Sequence, residues 1–240
     1  MMSNMKKIRY LLIVGMIFVI VLVMLLKIRR PMQQSTISNT TIRYVALGDS
    51  YTIGEGATPD EAWPSVLTKH LRSEGADIAL IANPSVTGWT TEQVITNELG
   101  VYDAAQPTFA TLLIGVNDWV QGVDTNSFHK NLITILDHMQ EKLPKKNNLL
   151  LITIPDFGVT PTGAKYSGGR DISRGIAEFN TVIIEEAKKR NLPVVDIYPL
   201  TQQMKQNTNL IALDGLHPSG SEYALWEKEI FPIAKKMLGK

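Results

Sequence analysis

The sequence predicts an α/β protein with a parallel sheet of about five strands covered by helices on both faces, preceded by an N-terminal transmembrane helix. Two observations carry this. Short apolar blocks of strand length alternate with segments of helical period along most of the chain. Ahead of them lies one long apolar run with basic residues on both flanks.

The run covers residues 10–26, which are uncharged and rich in Ile, Val, Leu and Met, with Lys6, Lys7 and Arg9 before them and Lys27, Arg29 and Arg30 after. A membrane-spanning helix needs roughly 17–25 residues, so this length is at the lower limit, and basic side chains that snorkel extend the reach. A cleaved signal peptide has a shorter apolar core and a small-residue cleavage site. Here Lys27-Ile28-Arg29-Arg30-Pro31 follows instead, which favours an uncleaved anchor over a signal peptide or a buried helix. Basic residues balance across the run, so charge does not set the orientation. The short tail before it favours the N-terminus inside, with a single-pass protein at the cell membrane and an extracytoplasmic domain. Cleavage would make it secreted. Residues 1–30 are therefore expected as the anchor, polar residues 31–41 as a linker, and residues 42–240 as the folded domain.

Within that domain, residues 42–47, 77–82, 108–114, 149–154 and 193–197 are the expected strands. Between them, Phe128, Leu132, Ile135, Leu136, Met139 and Leu143 mark one helical face, and Ile176, Phe179, Ile183 and Ala187 another. Tyr223, Trp226, Ile230, Ile233 and Met237 mark a last helix, in which Pro232 implies a kink or a restart. A sheet of this kind places its chemistry at the carboxyl ends of the strands.

Composition narrows the function. The net charge is +1, so nothing calls for a nucleic-acid partner. The chain has no cysteine, which excludes disulfides, thiolate metal sites and a cysteine nucleophile.

Four polar elements follow strands or precede the last helix. Gly48-Asp49-Ser50 ends the first strand, where a serine projects from a tight turn and Gly48 permits that turn; the plain alternative is a helix N-cap by Asp49 or Ser50. Gly115-Val116-Asn117-Asp118 ends the third, and an Asn amide there can donate to an oxyanion. Asp214-Gly215-Leu216-His217 precedes the last helix and can supply both a base and the group that orients it. Gly88, after the second strand, can bring a backbone N–H close to a carbonyl without a side chain in the way. Each element is common alone, but the three longer ones in this order arise by chance on the order of once in ten thousand chains.

On these residues the chain resembles the SGNH/GDSL hydrolase family over the whole domain. The resemblance implies a three-layer α/β/α flavodoxin-like fold and a serine esterase or lipase acting on esters. It implies Ser50 as nucleophile, His217 as base and Asp214 as its partner. It further implies an oxyanion hole from the Ser50 and Gly88 N–H groups and the Asn117 side chain. Neither a metal nor a cofactor is expected.

Tyr51, Trp89 and Trp119 each adjoin one of these elements and are expected to line the substrate site, unless they pack inward. The irregular residues 156–170 could form a lid or a plain surface loop. His70, His129 and His138 lie on expected helices without ligand spacing and read as structural. The expected substrate is a small-molecule or lipid ester, with carboxylesterase or lysophospholipase-like activity first and O-acetylesterase activity on cell-surface polysaccharide second. A membrane-tethered binding module without catalysis is the alternative of another class.

Overall fold

The computed structural model describes residues 41–239, so the apolar run and nearly all of the linker lie outside the described residues. Among the described residues no helix is long and apolar enough to cross a membrane. Five parallel strands form one sheet: β1 (Ile42–Gly48), β2 (Ile78–Ala82), β3 (Phe109–Leu113), β4 (Leu149–Ile152) and β5 (Val194–Val195), in the order β2-β1-β3-β4-β5. The inner strands β3 and β4 are buried along their whole length, which is why they read as unbroken apolar blocks. Thr111 is the polar exception, and the Tyr44 hydroxyl satisfies it at 2.9 Å.

The helices are α1 (Ser50–Ile53), α2 (Trp63–Ser73), α3 (Thr91–Gln93), α4 (Leu99–Ala105), α5 (Val116–Val120), α6 (Thr125–Lys142), α7 (Ile172–Arg190), α8 (Tyr198–Thr201) and α9 (Gly220–Met237). A π-helical segment, Val94–Glu98, joins α3 to α4. Helices α2 and α9 pack on each other, and α6 packs between α4 and α7. The expected faces of α6 and α7 are buried in full. Helix α9 continues through Pro232 rather than restarting there. Pro232 is exposed, as is Lys228 one turn earlier, so the carbonyl that the missing N–H leaves unpaired can face water.

Carboxylate–histidine pairs tie these helices together. His70 of α2 meets Glu227 of α9 at 2.9 Å, and its ring stacks on Phe231. His129 of α6 meets Glu186 of α7 at 3.1 Å, and His138 of α6 meets Asp103 of α4 at 2.8 Å. Three of the four histidines thus serve the packing of the helices.

The strand order reverses direction between β1 and β3. At such a switch point the connections leave in opposite directions and open a crevice at the carboxyl ends of the two strands. Ser50 follows β1 and Asn117 follows β3.

Candidate active site

Ser50 opens the single turn α1, and Asp49 caps that turn by accepting the Tyr51 N–H at 3.0 Å. The capping role and a projecting serine therefore coexist. Gly48 is dictated by space: a Cβ there would fall 2.2 Å from both the Leu113 carbonyl oxygen and Thr52 Oγ1. Its N–H donates to Glu98 Oε2 at 3.0 Å, a contact that ties β1 to the π-helical segment. Burial pushes the carboxyls of Asp49 and Glu98 up to about 8, with a smaller upward push from Asp49 on Glu98 and from Asp118 and Glu55 on Asp49.

His217 lies at the end of the loop before α9. Its Nε2 is 3.1 Å from Ser50 Oγ, and its Nδ1 is 2.6 Å from Asp214 Oδ2. The other Asp214 oxygen accepts the N–H groups of Leu216 and His217 at 2.8 and 3.0 Å. Partial burial pushes the Asp214 carboxyl up, but these hydrogen bonds and His217 outweigh it and hold the group below its ordinary range. The loop is closed by the Ala212 N–H on the His217 carbonyl, and Thr162 holds Gly215 through both its N–H and its hydroxyl. Thr162 belongs to residues 156–170. That stretch contains two short 3-10 segments, Phe157–Val159 and Gly163–Tyr166, and at its far end Arg170 donates to the Trp119 carbonyl at 2.6 Å. It clamps the Asp214 loop instead of hanging free.

Asn117 sits in α5. Its Nδ2 donates to the Trp89 carbonyl at 2.9 Å and reaches Asp49 Oδ2 only at 3.5 Å. The next residue, Asp118, is buried and accepts both the N–H and the hydroxyl of Thr91, which pins the start of α3 beside α5. Gly88, in the loop before α3, is exposed, with φ +85 and open space where a Cβ would stand. Its backbone conformation, more than crowding, calls for glycine.

Of the three aromatic residues expected along the site, Trp89 is half-buried, while Tyr51 and Trp119 are 3% and 5% exposed. The Tyr51 ring packs edge-on to His217 at 5.8 Å and also against Trp226, so it lies under the histidine. The Trp119 ring packs against Phe157 and under the Arg170 guanidinium.

The structure adds Glu55, which sequence reasoning missed. Its Oε2 is 3.8 Å from His217 Nε2 and accepts the Thr87 hydroxyl. The signal was present in Gly54 and Gly56, whose positive φ values of 88 and 91 turn the chain back toward Ser50. Glu55, Asp214 and His217 each offer an atom within 4.8 Å of the others, a spacing that a metal ion could use. Both ring nitrogens of His217 are already engaged, so a cation there would have to displace Ser50 or Asp214.

Residues 46–225 match the GDSL-like Lipase/Acylhydrolase family. A Vibrio mimicus arylesterase is 24% identical over 148 residues, covering 62% of this chain and 72% of that protein. A Ruminococcus flavefaciens multidomain esterase is 28% identical over 120 residues; the match takes in 49% of this chain but only 14% of that much longer protein. Among solved structures, a lipase/acylhydrolase from Enterococcus faecalis superposes with a TM-score of 0.63 at 25% identity, over 81% of this chain and 96% of that one.

Proposed function

Since this chain belongs to the GDSL-like lipase/acylhydrolase family and is an ester-hydrolysing enzyme, we propose that it works as a serine hydrolase through Ser50, His217 and Asp214. The unbroken relay from Ser50 Oγ through both imidazole nitrogens to Asp214 carries this reading. His217 Nε2 takes the hydroxyl proton as Oγ attacks the ester carbonyl, and Asp214 fixes the tautomer and offsets the imidazolium charge. The N–H groups of Ser50 and Gly88 and the Asn117 amide receive the oxyanion. The Asn117 hydrogen facing Asp49 across 3.5 Å is weakly engaged and free to turn to it. The imidazolium then protonates the departing alcohol, and water repeats the attack on the acyl-enzyme.

The segments bearing Ser50, Gly88 and Asp214 also carry Ile53, Val86 and Leu213, all exposed and apolar. This rim supports carboxylesterase action on esters with apolar acyl groups. The test is hydrolysis of p-nitrophenyl esters of increasing acyl length by the full-length chain and by Ser50→Ala. The expected result is turnover that falls by several orders of magnitude in the variant; equal activity in the two would sink the assignment. A profile peaking at acetate would point instead to O-acetyl groups on polysaccharide.

For location, the bracketed apolar run of residues 10–26 supports a single-pass anchor, and the domain is proposed to lie outside the cell. Alkaline carbonate should leave the protein in the membrane fraction, and external protease should remove the domain from intact cells.

A further inference from the structure

We propose that Glu55 selects the alcohol half of the ester, favouring alcohols that carry hydroxyl donors or positive charge and rejecting anionic ones. The inference rests on the serine mechanism above. When the acyl–oxygen bond breaks, its electron pair stays on the alcohol oxygen, and the imidazolium Nε2 supplies the proton. That oxygen must come within about 3 Å of Nε2. Glu55 Oε2 stands 3.8 Å from the same nitrogen. The carboxylate is therefore a wall of the space into which the alcohol departs.

Glu55 is held there from three sides. Its N–H donates to the Ser50 carbonyl at 2.9 Å, its carbonyl accepts the Tyr223 hydroxyl at 2.9 Å, and its side chain accepts the Thr87 hydroxyl. Gly56 lets the turn lie against the histidine loop, since a Cβ there would fall 2.6 Å from Ala212 Cβ and 2.7 Å from the Pro218 carbonyl oxygen. Thr87 adjoins Gly88, so one contact joins the alcohol side of the site to the oxyanion side. The other carboxylate beside the histidine, Asp214, is engaged on Nδ1, so Glu55 is the carboxylate on the Nε2 side.

A carboxylate has only acceptor oxygens when ionised, so it binds hydroxyl donors and cations and repels phosphates and carboxylates. At about 7 Å, a unit charge on the alcohol changes the rate roughly threefold if the medium behaves as water and several tens of times at protein-like screening. The Glu55 side chain is 37% exposed, which places the effect toward the lower end. Exchanging an anionic for a cationic alcohol should then shift kcat/KM by about tenfold.

The experiment compares phenyl butyrates with a para carboxylate, carboxamide or trimethylammonium group, using the full-length chain, Glu55→Gln and Glu55→Lys. Intrinsic reactivity of each ester cancels when the enzymes are compared. The expected result is a cation-to-anion preference that drops about tenfold in Glu55→Gln and reverses in Glu55→Lys, with both shifts shrinking in high salt. Both substitutions keep the backbone bonds that hold the turn. Unchanged preference in both variants, with Ser50 still labelled by a fluorophosphonate, would overturn the role of Glu55 alone. No hydrolysis and no labelling of the native chain would overturn the serine mechanism and this inference together.

Discussion

Replacing Gly175 with alanine should destabilise the protein, against the usual sign for a helix interior. In an exposed helix this change stabilises by about 1 kcal/mol, because alanine loses less backbone freedom on folding. In α7, however, the added methyl would stand 1.8 Å from Trp119 Nε1 and 2.5 Å from its Cε2. The indole has little room to retreat: the Arg170 guanidinium lies 3.9 Å over its centroid, and Phe157 meets it edge-on at 5.8 Å. Overpacking of this kind costs about 1–3 kcal/mol, and contacts this short belong at the upper end. The net loss is then about 1–2 kcal/mol, or roughly 2–8 °C in Tm for a chain of this size. Because Trp119 shares α5 with Asn117, a displaced indole also moves the proposed oxyanion donor, and kcat should fall. Thermal unfolding and ester hydrolysis read the two effects. The double variant Gly175→Ala, Trp119→Phe should recover part of both, with a coupling of about 1 kcal/mol or more. A variant that melts higher and retains full kcat would show that helix propensity wins and that the packing around Trp119 is loose.

Asn117→Ala should lower kcat by about 10²–10³ if the amide holds the oxyanion; a change confined to KM would reduce it to a substrate contact. Glu98 bears on pH dependence. Its folded-state carboxyl is pushed by burial from 4.5 to about 8, so the folded protein keeps a proton that the unfolded chain has released. Its contribution is present in full below the unfolded value, declines as pH rises and is lost through about 8, at roughly 1.4 kcal/mol for each pH unit crossed. Glu98→Gln cannot titrate, so denaturant unfolding should show its stability gaining on the native chain across that window. Parallel curves for the two proteins would refute the buried, protonated state.

Much of this architecture was readable from the residue order, for identifiable reasons. All five expected strands formed because strands covered on both faces are nearly pure apolar blocks, and the faces of α6 and α7 followed from their helical period. Ser50 and Asn117 stood out because a parallel sheet delivers the ends of its strands to one edge, and Asp214 and His217 because their close spacing lets one orient the other. What escaped notice depends on contacts between distant segments. Glu98 meets Gly48 across fifty positions, and nothing near either residue announces the other. Adjacency misled in the case of Tyr51: neighbours on a helical turn point about 100° apart, so the residue after the serine turned into the core, against Trp226. Residues 156–170 looked loose because their ties run to Gly215, Trp119 and Gln202, far along the chain.

Ser50 and His217 are 167 positions apart, and the loop bearing His217 leads into α9, which is packed on α2. The proposed nucleophile and base are therefore contributed by distant segments of the described residues. A chain clipped before residue 214 would keep Ser50, Gly88 and Asn117 but would lose both Asp214 and His217. On the proposed mechanism, hydrolysis therefore requires the loop that leads into α9 to be seated against the Ser50 turn that follows β1.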